Sequence, residues 1–171
     1  VRTRDLAAAG IFIALVFVIT RYTVMPIPAT KGYFNLGEVA IYIAAIAFGP
    51  LVGMLAGGLG SALADLHAGY QHYALFTLII KGVEGYLVGR LAGATLGSRL
   101  RGLVVGGAWM VLGYFLAQTL FFRFLGFADT RSAALAAALT ELPFNVVQAV
   151  VGVVVALPVT LRLRALVGQA S

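Results

Sequence analysis

The chain has 171 residues, 61% of them hydrophobic and only 11% charged, with a mean hydropathy of +1.01, whereas soluble domains are roughly 25% charged; a water-soluble fold and a separate soluble domain are both excluded. It contains no cysteine, which rules out disulfides, thiolate metal sites and thiol nucleophiles. The net charge of +6 is spread along the flanks of apolar runs, where it acts as a topology signal in a lipid bilayer rather than as a nucleic-acid footprint.

Apolar runs and helix breakers divide the chain into membrane spans. The opening "VRTRDLAAAGIFIALVFVIT" has the basic start of a signal peptide. The run continues to Val24, however, with Arg21 and Tyr22 at its far end and no small-x-small cleavage site, so it reads as a first span over about residues 6–24. Pro26 and Pro28 end it. A polar segment, "ATKGYFNLGE", precedes a second span over about 36–48, and Gly49 and Pro50 turn the chain into a third over about 51–66. After the polar connection "HAGYQHY" comes a fourth span over about 74–96, and after "GSRLRG" a fifth over about 103–124. The last covers about 133–161 and holds Pro143, which predicts a kink or a break. Backbone groups in hydrocarbon must pair internally, and no alternating strands of the β-barrel type occur. The expectation is an all-α integral membrane protein: one compact bundle of six transmembrane helices, each needing ~20 apolar residues.

Charge placement orients this bundle. One side carries Arg2, Arg4, Arg90, Arg99, Arg101, Arg162 and Arg164 with Asp5; the other has Arg21, Lys31, Arg123 and Arg131 with Asp65 and Asp129. Both termini are therefore expected in the cytoplasm, with "ATKGYFNLGE" on the outer face.

Polar side chains inside spans are costly unless they face a cavity or one another. Lys81 and Glu84, three apart in the fourth span, share a face and can form an ion pair or contact a ligand. Glu141, Asn145 and Gln148 share a face of the sixth, and Tyr114 and Gln118 one of the fifth, with Trp109 deeper. At ~1.5 Å per residue, Lys81 and Gln118 lie about 10 Å below the outer surface. Three helices thus direct hydrogen-bonding groups to one level beneath the polar segment, as a small-molecule pocket requires. Gly53, Gly57, Gly60 and Ala64 form one small-residue face that suits helix packing. Ala7, Gly10 and Ala14 form another, which is available either for packing or for docking of a second membrane protein. His67, His72 and Asp65 lack the spacing of a metal site. Ser61 and Ser98 have no histidine base nearby, and no hydrolase, protease or phosphate-binding motif is present.

The stretches "GYFNLGEVAIYIAAIAFGPLVGMLAGGLGSALADL", "YALFTLIIKGVEGYLVG" and "LPFNVVQAVVG", in that order within about residues 32–157, resemble the substrate-binding S components of energy-coupling factor (ECF) vitamin transporters. The riboflavin-type group, which also includes proteins for pyrimidine precursors, pyridoxine-like and other heterocycles, is the most similar. The resemblance implies a six-helix subunit in the plasma membrane of a prokaryotic cell. It would capture a vitamin from outside and associate with a membrane coupling subunit and two cytosolic ATPases, so that ATP is used by the partners and no cofactor is held by this chain. It places Tyr33 and Asn35 in a lid over the pocket and Lys81, Glu84, Asn145 and Gln148 at the ligand. Where riboflavin binders tend to have a lysine this chain has Gln148. The family's A-x-x-x-A docking face on helix one corresponds to Gly10 and Ala14, with Ala7 one turn earlier. The resemblance also implies that the whole subunit topples in the membrane during transport.

Together these readings predict a non-enzymatic vitamin-capture subunit. Lys81, Glu84, Gln118, Glu141, Asn145 and Gln148 form its polar set, and Trp109, Tyr114 or Tyr33 stack on the ligand. Pyridoxine-like or hydroxymethylpyrimidine-like compounds lead, ahead of riboflavin and deazapurines. The alternatives are a stand-alone proton-coupled carrier and an intramembrane enzyme using Glu84 or Glu141.

Overall fold

The computed structural model describes residues 2–27 and 30–169, with side chains as far as residue 162. Pro28 and Ala29 in the polar segment and the Arg164 side chain lie outside the described residues. The helices are α1 (Thr3–Tyr22), α2 (Gly37–Phe48), α3 (Pro50–Ala68), α4 (Gln71–Leu91), α5 (Leu96–Phe121) and α6 (Arg131–Gln169). Four helical stretches, α1, α3, α5 and Arg131–Arg162 of α6, are long and apolar enough to cross a membrane. The 12 residues of α2 reach only ~18 Å. Although α4 has 21 residues, it carries Lys81, Glu84 and Arg90.

The shortest helix occupies the centre. On α2, Ala40, Ile41, Tyr42, Ala44 and Ala45 are all buried, and α2 touches α1, α3, α4 and α6. Its neighbours approach closely because their facing residues are small: the Tyr42 ring lies against Gly152 of α6, and its hydroxyl against Gly107 of α5. Val16, Val52, Val88, Leu103 and Ala156 bring the other helices into the same core.

Several element ends differ from the sequence reading. "HAGYQHY" is mostly helical: α3 runs to Ala68, and Gly69, at φ 90°, supplies the left-handed residue that ends it, so the turn is reduced to Gly69 and Tyr70. "GSRLRG" lies inside α5, which starts early because the Thr95 hydroxyl accepts from the Ser98 N–H (3.2 Å) and caps it. Helix α6 does not break and runs on through Pro143 and Pro158. Within the polar segment the chain forms a small antiparallel hairpin, β1 (Met25–Pro26) and β2 (Tyr33–Phe34), pairing Met25 with Phe34 and Pro26 with Tyr33. Strands this short leave no readable alternation.

The small-residue face of α3 is divided. A π-helical turn over Ala56–Gly60 rotates the second half of the helix relative to the first. Gly53 and Gly57 consequently meet the α4 backbone at Gly85 and Lys81, while Gly60 turns to Ile13 and Val16 of α1.

Both ends of the bundle are defined by contacts. At one, the Gly49–Pro50 turn packs on Gly89 near the end of α4. At the other, the hairpin, the Gly69–Tyr70 turn and the loop before α6 converge, with ring centroids 4.5 Å apart for Tyr33 and Tyr70 and 5.0 Å for His72 and Phe127.

The close approach of α3 and α4 separates two glycines of one helix. A Cβ on Gly85 would overlap the Gly53 backbone, which cannot give way, whereas one on Gly82 would meet nothing nearer than 3.6 Å. Gly85→Ala is expected to destabilise the detergent-solubilised protein by about 1–3 kcal/mol through overpacking. Gly82→Ala should be neutral, or stabilising by up to about 1 kcal/mol from helix propensity. Thermal unfolding of the two variants side by side checks the difference.

Candidate functional site

Beneath the hairpin, side chains from most of the bundle surround one enclosed polar cavity. Thr20 of α1, Gly32, Tyr33 and Asn35 of the hairpin segment, and Ser61 and Asp65 of α3 form part of its wall. Tyr73, Thr77 and Lys81 of α4, Tyr114 of α5, and Glu141, Asn145 and Gln148 of α6 complete it. The helical spacing explains why: Tyr73, Thr77 and Lys81 recur every four residues along α4, and Glu141, Asn145 and Gln148 do nearly the same along α6. The free space is about 30 Å³, close to one water molecule's share of the liquid.

A chain of buried polar contacts ties the base of the cavity together. Lys81, 3% exposed, sits between Glu38 and Glu84; it contacts Glu38 directly, and its Nζ is 3.3 Å from Glu84 Oε2. The Tyr42 hydroxyl donates to Glu84 Oε1 (2.9 Å). Gln148 Nε2 donates to Glu38 Oε1 (2.7 Å), and Gln148 Oε1 accepts from the Asn35 backbone N–H (2.9 Å) and Asn35 Nδ2 (3.2 Å). This environment defines the Gln148 amide orientation, since a flipped amide would set its oxygen against a carboxylate and its NH₂ against two donors. Asn35 Oδ1 accepts from the Gly37 N–H (2.8 Å) at the start of α2. The hairpin exit is thereby joined to α6, and through Glu38 and Lys81 to α4.

The outer half of the cavity has a second set of contacts. The Tyr73 hydroxyl lies 3.2 Å from both Glu141 oxygens, and Gln118 Nε2 donates to the Tyr73 oxygen (2.8 Å) and to Glu141. The Tyr114 hydroxyl donates to Thr77 Oγ1 (3.0 Å), and its ring centroid is 5.7 Å from Lys81 Nζ. The Tyr33 hydroxyl donates to Asp65 Oδ1. Burial, reinforced by the Asp65 carboxylate, pushes the Tyr33 phenol well above its ordinary pKa, so it remains a neutral donor. Gly32 lies so close over the Glu141 carboxylate that a Cβ there would collide with it.

Of the residues singled out by sequence, Tyr33, Asn35, Lys81, Tyr114, Glu141, Asn145 and Gln148 meet at the cavity wall. Gln118 stands behind Glu141 and holds it, and Glu84 lies beneath Lys81. Trp109 is placed elsewhere: its indole N–H donates to the Ile80 carbonyl (3.1 Å), and it is 37% exposed on the outer surface of the bundle. Asn145, 9% exposed, forms no side-chain hydrogen bond among the described residues. Ala7, Gly10 and Ala14 are exposed, and a Cβ on Gly10 would meet nothing within 4 Å, so this face is left open by the described residues. His67 accepts from Arg21 Nε (2.9 Å), and no group of three or more potential metal ligands occurs among the described residues.

Sequence reasoning missed Glu38, Asp65, Tyr73 and Thr77 as site residues. Glu38 carried a usable signal, an ionisable residue at the edge of a span. Tyr73 and Thr77 continue the Lys81 stripe toward the N-terminus of α4; reading "HAGYQHY" as a loop hid Tyr73, whereas Thr77 lay within the fourth span at four residues from Lys81 and could have been found by that spacing.

Comparison with known proteins identifies the family. The family described as "ECF-type riboflavin transporter, S component" matches residues 1–165. An uncharacterised protein of Pyrococcus woesei is 54% identical over 101 residues, covering 58% of this chain and 68% of that protein. The thiamine precursor transporter HmpT of Lactococcus lactis subsp. cremoris is 35% identical over 154 residues, covering 90% of this chain and 83% of HmpT. This membrane protein, with its buried polar cavity, belongs to the S-component family of ECF-type riboflavin transporters.

Proposed function

We propose that this chain captures a small water-soluble vitamin precursor, a hydroxymethylpyrimidine-like heterocycle ahead of a pyridoxine-like one, from the outer side of a prokaryotic plasma membrane. A membrane coupling subunit and two cytosolic ATPases supply the energy, and this chain holds no cofactor of its own. The observation that carries the reading is Asn145. Its side chain lines the cavity with no hydrogen-bond partner among the described residues, while its neighbours on the same face of α6, Glu141 and Gln148, are each held by other side chains; an amide left free in this way suits a ligand.

Other features support the choice of ligand. Gln148, at the position where riboflavin binders tend to have lysine, is committed to Asn35 and Glu38. The relative HmpT is named for a thiamine precursor. The exposed face of Ala7, Gly10 and Ala14 suits docking of the coupling subunit, because small residues let helices approach closely. Six crossings with both termini cytoplasmic are favoured by the arginines at the end of the bundle opposite the hairpin.

Purified protein should bind 4-amino-5-hydroxymethyl-2-methylpyrimidine in calorimetry or release it to mass spectrometry. Uptake into proteoliposomes should require the ATPase module, and turnover without it would overturn the importer reading in favour of a self-sufficient carrier. Asn145→Ala is expected to weaken binding by about 1–3 kcal/mol, as for loss of a buried hydrogen-bond partner, with the fold intact. Lys81→Ala behaves differently: it leaves Glu38 and Glu84 uncompensated, and should lower stability by about 3–5 kcal/mol in thermal unfolding. Because the chain has no cysteine, topology can be tested directly. An impermeant thiol reagent added outside whole cells should label Asp129→Cys and not Gly97→Cys; the reverse pattern would invert the orientation.

A further inference from the structure

Outside the polar cavity the bundle has a second hollow. A groove runs between α5 and α6, lined along its length by Val104, Ala108 and Leu112 on one side and Val146, Val150 and Val154 on the other, and no lining residue is polar. Its free space is about 640 Å³. At its floor two small buried residues, Gly107 and Ala149, let the helices touch. From Leu103 to Phe115 the groove follows α5 for ~18 Å at ~1.5 Å per residue, a little more than one leaflet of a hydrocarbon core ~30 Å thick. Spread over that length, the space is too narrow for a helix, which is about 10–12 Å across with its side chains, and suits one extended acyl chain.

Charge gives the groove a direction. Arg101, Val104, Ala108 and Leu112 fall at i, i+3, i+7 and i+11, so the exposed Arg101 heads the stripe that lines the groove. Arg99, one turn before Leu103, and the exposed Arg162, two turns beyond Val154, lie at the same end. None of the three forms an ion pair among the described residues, and the sequence has no acidic residue from 85 to 128 or from 142 to 171. We infer that the α5–α6 groove is a binding site for one anionic phospholipid, whose acyl chain lies along Ala108 and Val150 while its phosphate is held by Arg101 and Arg162. Basic side chains at the mouth of a groove between spanning helices recognise anionic headgroups, and guanidinium donors match phosphate oxygens in pairs. The aliphatic stems of the arginines carry the charge from the groove to headgroup level. A zwitterionic lipid with the same chains offers the same apolar fit, but its own ammonium offsets the phosphate charge. The inference does not depend on which ligand the polar cavity takes.

The test is native mass spectrometry of the full chain, stripped of lipid in detergent and titrated with phosphatidylglycerol or phosphatidylcholine of identical chains. The wild type should bind one phosphatidylglycerol about 10-fold or more tightly than phosphatidylcholine. In the double variant Arg101→Gln, Arg162→Gln the first lipid should weaken to the level of the second. In Ala108→Phe, whose ring enters the groove from its exposed side, both should weaken by about 10-fold or more. Equal affinity of the wild type for the two lipids overturns the inference, and this comparison needs no variant to fold. A preference that survives in the folded double variant also overturns it. So does undiminished lipid binding by folded Ala108→Phe; if that variant also fails to co-purify with the coupling subunit, the groove belongs to a partner helix.

Discussion

The structure depends on one buried cation. Lys81 projects from α4 between Glu38 of α2 and Glu84 of its own helix, in a position where an unpaired charge would cost several kcal/mol. Each partner is bonded onward, Glu84 to Tyr42 and Glu38 to Gln148, so the ammonium holds α2, α4 and α6 in one register. Gln148 then extends the connection to Asn35 at the exit of the hairpin. The hydrogen-bonded chain at the base of the cavity therefore also anchors the hairpin exit.

Such an arrangement needs helices that approach closely, which glycine permits. Gly53 and Gly57 bring α3 against the α4 backbone at Gly85 and Lys81, and this shortens the distance that the Lys81 side chain must span to reach α2. The twelve residues of α2 are too few for a bilayer on their own, but enclosure by α1, α3, α4 and α6 keeps most of that helix away from lipid. Its short reach leaves space at the hairpin end for the cavity. Packing and the placement of the polar cavity thus follow from the same choice of small residues.

Much of the fold was legible because a membrane imposes simple rules. Apolar runs, the proline pair and Gly49–Pro50 marked most helix ends to within a few residues, but α4 ends at Leu91 rather than about 96, α5 begins at Leu96 rather than about 103, and α6 runs to Gln169 rather than about 161. The polar stripe of Glu141, Asn145 and Gln148, and the pair Lys81 and Glu84, stood out because hydrocarbon tolerates few such residues. Less legible were places where a local signal has two meanings. "HAGYQHY" is polar enough for a loop, yet the turn is only Gly69 and Tyr70, and Tyr73 becomes a wall residue. Pro143 ordinarily interrupts a helix, but α6 continues through it.

By itself, the sequence determined that the chain lives in a bilayer, that it is helical, and that α4, α5 and α6 carry an inward-facing polar set, since composition and periodicity are local properties. Tertiary structure alone decided that Glu38 is the partner of Lys81, that Asp65 lines the cavity and accepts from Tyr33, and that Trp109 bonds to Ile80 on the outside of the bundle. It also decided that a π turn divides the glycine face of α3 between two neighbours. The reason is distance: charge pairing and ring placement depend on how far apart two helices lie and how they are rotated, and neither is encoded in the spacing of residues along one of them.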